Sequence, residues 1–229
     1  MPQEYKLYQI SDEKAVEISQ PNIHGRRVII LGGLYDLCKS PINAGSWNAF
    51  NRVLSHQLPK DANLYTIGTS DTQSWHEDEW IKTGGNICPA AKELAEQIFL
   101  LPNVAPIPDK EAYLRQLDQL AANTVFVTLS TGSLLLEHVR RYLVERLHND
   151  FTEAELSPIL AKVGAVNIAP IHTIGIAPEN LDFTQISFIN KADINAAEAP
   201  KGAALWDEVK GIAQEMEKHW DGQGKNHNL

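Results

Sequence analysis

Arg27-Val28-Ile29-Ile30-Leu31-Gly32-Gly33-Leu34-Tyr35-Asp36 is the stretch that decides the fold. Its apolar run is short and unbroken. A strand with one wet face alternates apolar and polar residues, whereas a strand covered on both faces reads as continuous Val, Ile and Leu. The glycine pair then ends the strand. Without a β-carbon, glycine lets backbone approach a neighbour or a ligand closely.

Two further runs have the same character: Leu64 to Ile67 and Thr124 to Leu129. The second ends in Ser130-Thr131-Gly132-Ser133. Further strands are expected over Val163 to Ile168, Thr173 to Ile176 and Gln185 to Ile189, with a short edge strand or arm before residue 24. Helical patterns fill the intervals. Ser46 caps a helix running to about Leu58, with Trp47, Phe50, Val53 and Leu54 on one face. Pro89 opens a helix over 90–100. Helices follow over 109–121, 134–148 and 150–161, the last with Thr152 and Glu155 at capping-box spacing. The closing helix spans 203–220, where Leu205, Val209, Ile212, Met216 and Trp220 recur every three or four residues.

Strands separated by helices define the α/β class. The expectation is a three-layer Rossmann-like domain, with a mostly parallel sheet and helices on both faces. Residues 1–24 form an N-terminal arm or edge element, 25–220 a single domain, and 221–229 a disordered tail.

Composition narrows the function. The 229 residues carry a net charge of -9, which argues against a general nucleic-acid surface. Arg140, Arg141 and Arg146 make one modest basic stripe, equally readable as ion-pair partners of Glu137 and Glu145. Cys38 and Cys88 lack metal-ligand spacing and read as free thiols in a reducing compartment. The start, MPQEYKLYQISDEKAVE, does not read as a secretory signal, and no run approaches the ~18 apolar residues of a membrane span. A cytoplasmic protein is expected.

Ligands of parallel α/β sheets sit beyond the carboxyl ends of the strands. Three segments fall there: Gly32-Gly33-Leu34-Tyr35-Asp36, Gly68-Thr69-Ser70-Asp71 and Ser130-Thr131-Gly132-Ser133. Gly32, Gly33, Tyr35, Ser70, Ser130, Thr131, Gly132 and Ser133 are the expected ligand-binding residues. Backbone amides where a helix starts hold phosphate or carboxylate. Asp36, Asp71 and His76 are the candidate catalytic groups. His76 lies in Asp71-Thr72-Gln73-Ser74-Trp75-His76-Glu77-Asp78-Glu79-Trp80, which offers acid–base groups and indoles for stacking. Plain turn chemistry, and tryptophans folded onto the core, explain the same residues without any ligand.

Standard signatures are missing. No third glycine completes a dinucleotide fingerprint, and the P-loop lysine is absent. Ser130 is not flanked as in a nucleophile elbow. The histidines form no metal set: His138 reads as a helix-surface residue, and His172 as the better pocket candidate. Whether a cofactor is used, or a metal through distant ligands, stays open.

The glycine turn resembles the Gly-Gly-x-Phe-Asp turn of nucleotidylyltransferases that activate nucleotides or make dinucleotide cofactors. That family's His-x-Gly-His signature would fall near Asn43-Ala44-Gly45-Ser46, where both histidines are missing and extra residues intervene. The resemblance implies a related fold that binds a nucleotide without the usual transferase chemistry.

Two functions remain. One is an enzyme, of transferase type, or a sensor that binds a phosphorylated sugar, nucleoside or nucleotide at the carboxyl ends of the strands. The other is a nonenzymatic protein-binding or assembly factor using the tryptophan loop or the closing helix. Neither a membrane nor a nucleic acid is an expected partner. A homo-oligomer or a protein partner stays open.

Overall fold

The apolar run at residue 28 lies in the middle of a seven-stranded mixed sheet. The structure, a computed structural model, describes residues 5–11, 14–32, 58–69, 87–102, 106–129, 132–168 and 183–188. Its strands are β1 (Tyr5–Ser11), β2 (Lys14–Ile18), β3 (Arg26–Leu31), β4 (Ala62–Thr69), β5 (Thr124–Leu129), β6 (Gly164–Ile168) and β7 (Thr184–Phe188). Its helices are α1 (Pro89–Phe99), α2 (Lys110–Ala122), α3 (Gly132–Leu147) and α4 (Glu153–Leu160). The fold is α/β.

The strand order is β2-β1-β4-β3-β5-β6-β7. β3 pairs in parallel with β4 and β5, and the parallel ladder continues through β6 to β7. The N-terminal residues form an antiparallel hairpin, β1–β2, which adds to β4 in antiparallel fashion. This pairing changes one reading of the sequence. Gly68 and Thr69 are not a free turn but the end of β4, opposite Lys6 and Tyr5 of β1. The expected helix over 46–58 lies outside the described residues except at Leu58, and the strand over 173–176 and the helix over 203–220 lie wholly outside them.

Alternation along β3 sets the two faces. Ile29 and Leu31 join Tyr65, Ile67, Phe126 and Ala165 in the larger core, which takes residues from all four described helices. Leu94 and Ile98 come from α1, Leu117 from α2, Val139 and Leu143 from α3, and Leu156 and Leu160 from α4. Phe126 packs between Phe99 and Phe183, with ring centroids 6.5 and 6.0 Å away. Each such side chain contributes roughly 1.5–3 kcal/mol by leaving water. On the other face, Ile10, Val28, Ile30, Leu64 and Val127 form a second cluster, with Leu58 packed against it.

Local chemistry fixes the helix ends. α1 starts at Pro89, where the missing N–H costs nothing. At α4 the Glu155 carboxylate accepts from the Thr152 N–H at 2.8 Å and from its hydroxyl at 2.7 Å. Those bonds hold the Glu155 carboxyl below its usual pKa. Among the described residues no helix is long and apolar enough to cross a membrane.

Candidate functional site

The parallel strands all point one way, so Leu31, Leu129, Ile168 and Phe188 end on one edge of the sheet. The chain leaves β3 for β4 on one side and leaves β5 for β6 on the other, although β3 and β5 are neighbours. Gly32 follows β3 at once and is buried.

Gly132 opens α3 directly against that tip. A β-carbon there would sit 2.2 Å from the Leu31 carbonyl oxygen and 2.9 Å from the Gly32 oxygen. Only a residue without a side chain fits so close to backbone. Two of the three expected segments, those holding Gly32 and Gly132, therefore meet in space. Ser133 follows in the first turn of α3, half-buried. That turn carries no acidic residue. Gly33, Tyr35, Asp36, Ser70, Asp71, His76, Ser130, Thr131 and His172 lie outside the described residues.

His138, read from sequence as a surface residue, is buried at 2% exposure. Its Nδ1 accepts the backbone N–H of Cys88 at 3.1 Å. An accepting nitrogen must be unprotonated, and burial, helped by Arg141, lowers the His138 pKa to about 4. The bond ties α3 to the end of the segment that links β4 to α1 and carries Asp71 and His76. Helical periodicity alone could not show this, because the partner is a backbone amide 50 residues away. Cys88 is a buried free thiol, and Cys38 lies outside the described residues.

Two other buried polar groups were not legible as functional or structural in the sequence. Thr128 Oγ1 donates to Asn167 Oδ1 at 2.7 Å, and Asn167 Nδ2 donates to Gln185 Oε1 at 3.0 Å. This row links β5, β6 and β7 on the face covered by α3. Arg27 lies at the opposite edge, fully buried. It donates to the carbonyls of Ile98 (2.6 Å) and Leu120 (2.8 Å) and to Thr124 Oγ1 (2.5 Å). Both carbonyls belong to last turns of helices, where the dipole favours a cation. Burial still lowers the guanidinium pKa to about 10. Arg27 therefore holds the frame rather than the ligand edge.

The basic stripe on α3 is neutralised. Arg140 pairs with Glu137 at 2.7 Å, Arg141 with Glu145 at 2.8 Å, and Arg146 with Asp150 at 3.6 Å. No cluster of three potential metal ligands occurs among the described residues. A shallow groove of about 340 Å³ lies between the end of the hairpin and α1, lined by Ser19, Gln20, Glu93, Glu96, Gln97, Leu100 and Leu101. None of the expected site residues lines it.

Fold and edge together define an α/β protein whose α3 N-terminus abuts the tip of β3. Comparison with models of known protein families finds no match, and comparison with curated proteins finds none either.

Proposed function

We propose that the crevice between the carboxyl ends of β3 and β5 binds a phosphorylated sugar, nucleoside or nucleotide. The observation that supports this is the seating of Gly132 on the Leu31–Gly32 backbone, 2.2 Å from a β-carbon position to the carbonyl. It puts the amides of α3's first turn beside the point where the chain departs in opposite directions. Crevices of that topology are where ligands bind in parallel α/β sheets. In this reading Gly32, Gly33, Ser130, Thr131, Gly132 and Ser133 cradle the anion. Tyr35 and Ser70 contact the rest of the ligand, and Asp36, Asp71 and His76 supply acid–base groups if the ligand is turned over.

The finer architecture belongs to the same proposal: a three-layer, mostly parallel, Rossmann-like domain. Crossovers between parallel strands are almost always right-handed. The step from β3 to β4 runs opposite to the steps toward β7, so its helix belongs on the face opposite α1 to α4. Leu58, at the end of that connection, packs on the second face, as this requires. A cytoplasmic setting follows from the same reading, with Cys88 kept as a thiol.

A thermal-shift series with inorganic phosphate, sugar phosphates and nucleotides tests the binding. Binding to the native state raises stability by mass action, about 2.7 kcal/mol at a hundredfold excess over Kd. Ser133→Asp sharpens the result. An acid at a helix start stabilises the free protein by roughly 0.3–1 kcal/mol, yet repels an anion. The ligand-induced shift should vanish while the unliganded melting temperature holds or rises. An unchanged ligand shift in Ser133→Asp, or no shift with any of the series in the parent protein, refutes the assignment.

A further inference from the structure

The groove beside α1 carries negative charge that the described residues leave unanswered. Glu93 and Glu96 stand about one turn apart on α1, both half-buried, and both line the groove. One oxygen of each is fixed by a neighbour. Glu93 Oε1 accepts from Gln97 Nε2 at 2.6 Å, and Glu96 Oε1 accepts from the Tyr142 hydroxyl at 2.5 Å. Neither donor is a cation, and among the described residues neither carboxylate forms an ion pair. On α3, by contrast, Glu137 and Glu145 are both paired with arginines.

The groove also lies at the carboxyl end of α1. The negative pole of the helix dipole is there, and the last turn has no basic residue to answer it. Leu100 ends the helix with φ of 50°, the left-handed conformation usually given to glycine. A leucine held in that strained conformation calls for a reason in its side chain. Leu100 and Leu101 supply the apolar lining of the groove.

We propose that this groove binds a small organic cation, an alkylguanidinium or alkylammonium ion on a short carbon stem. Its volume of about 340 Å³ is at the small end for ligand sites, which run from about 300 to 1,000 Å³. Side chains three apart on a helix have β-carbons roughly 5–6 Å from each other, so one cationic head reaches the remaining oxygens of both glutamates. The planar fork of a guanidinium suits such a pair best. The stem lies along Leu100 and Leu101, as the stems of long cationic side chains lie on apolar surface. None of the residues assigned to the anion crevice lines the groove, so the two sites stand or fall separately.

Agmatine, a guanidinium carried on a butylamine stem, is the probe, and butylurea is its neutral counterpart. Isothermal titration calorimetry should show saturable binding of agmatine and none of butylurea. Glu93→Gln and Glu96→Gln keep an acceptor for Gln97 and for Tyr142. Each should weaken agmatine at least about tenfold, the equivalent of one charge-assisted bond. Glu153→Gln removes an equal charge from the exposed start of α4 and should leave the affinity unchanged. Leu100→Gly relieves the left-handed strain, so the melting temperature should hold or rise, while loss of the stem contact lowers affinity at least about threefold. No saturable binding at millimolar agmatine overturns the proposal. So does binding that survives both glutamine variants, or butylurea binding as tightly as agmatine. Equal weakening by Glu153→Gln overturns it in favour of general attraction to an acidic protein. Unchanged affinity in Leu100→Gly overturns the placement of the stem.

Discussion

Arg27→Met removes a buried cation while keeping an apolar stem of similar length. Among the described residues the charge pairs with no carboxylate; it faces two helix-end carbonyls and the Thr124 hydroxyl. The shift of the guanidinium pKa from 12.5 to about 10 corresponds to a burial cost of roughly 3 kcal/mol. Bonds to a charged donor contribute roughly 1.5–3 kcal/mol each, so three of them exceed that cost. The acceptors differ in what they retain afterwards. Leu120 O keeps the Thr124 hydroxyl at 2.6 Å and the Asn123 N–H at 3.3 Å. Ile98 O has no substitute in the helical ladder, because the residue four further on is Pro102, which has no N–H. Among the described residues no other donor reaches this carbonyl, and leaving it bare costs about 1–3 kcal/mol. The net expectation for Arg27→Met is a loss of about 2–4 kcal/mol, a drop in melting temperature of roughly 4–16 °C for a chain of this size. Arg27→Lys should be no better, since a compact ammonium cannot span three acceptors and is harder to desolvate. Urea denaturation read by circular dichroism measures both, with the slope checked for constancy. A loss below about 1 kcal/mol for Met, or a Lys variant as stable as the parent, refutes the reasoning.

Acid should weaken the fold through His138. Its folded pKa of about 4 lies below the ordinary 6.5. The folded state therefore resists a proton that the unfolded chain accepts. The contribution is complete above pH 6.5 and is lost as pH falls toward 4, by up to about 3 kcal/mol. His138→Gln, which keeps an acceptor for the Cys88 N–H, should flatten that part of the urea-midpoint profile between pH 7 and 4; an unchanged slope would exclude His138 as its source. Gly132→Ala forces a β-carbon into the Leu31 carbonyl, so α3 must shift, with an expected loss above about 2 kcal/mol. An alanine variant that melts within about 2 °C of the parent would show that the contact relaxes freely. Thr128→Val removes the hydroxyl that donates to Asn167 Oδ1 at 2.7 Å. The weakened buried row should lower stability by about 1–3 kcal/mol, and a neutral result in urea denaturation would show that Asn167 finds another donor.

Elements built from local signals were legible. The apolar run at residue 28 is β3, and Thr124 to Leu129 is β5 to the residue. Pro89 opens α1, and Glu155 reaches back to Thr152 as its spacing suggests. What stayed hidden depends on partners distant in sequence. The hairpin of β1 and β2 is held by pairing with β4, some 60 residues on, and its own residues show only small apolar islands. The polar Arg27 beside β3's apolar run gave no hint of its role, because its carbonyl acceptors lie 71 and 93 residues away. His138 looked like a surface residue for the same reason. Its helix position is local information, but the amide that makes it a structural acceptor is not.

The site divides along the same line. That glycine stands at 32 and at 132 is sequence; that the two turns touch follows from β3 and β5 being neighbours, which only strand order supplies. Close backbone packing explains Gly132 as a tight joint, and anion binding explains it as a cradle. Ser133→Asp separates them, because a joint does not respond to the charge of an added anion and a cradle must. The polar row from Thr128 to Gln185 strengthens the case for a fixed edge. It locks β5, β6 and β7 together through side chains, so the described strand ends hold their spacing. Preorganisation of that kind lowers the ordering cost of binding. Loosening the row by Thr128→Val should therefore weaken anion affinity by more than its distance from the crevice suggests. Titrating the same phosphate series against that variant and against Ser133→Asp tells the two effects apart: a graded loss of affinity in the first, abolition in the second. Equal, unchanged affinities in both would remove the crevice from consideration.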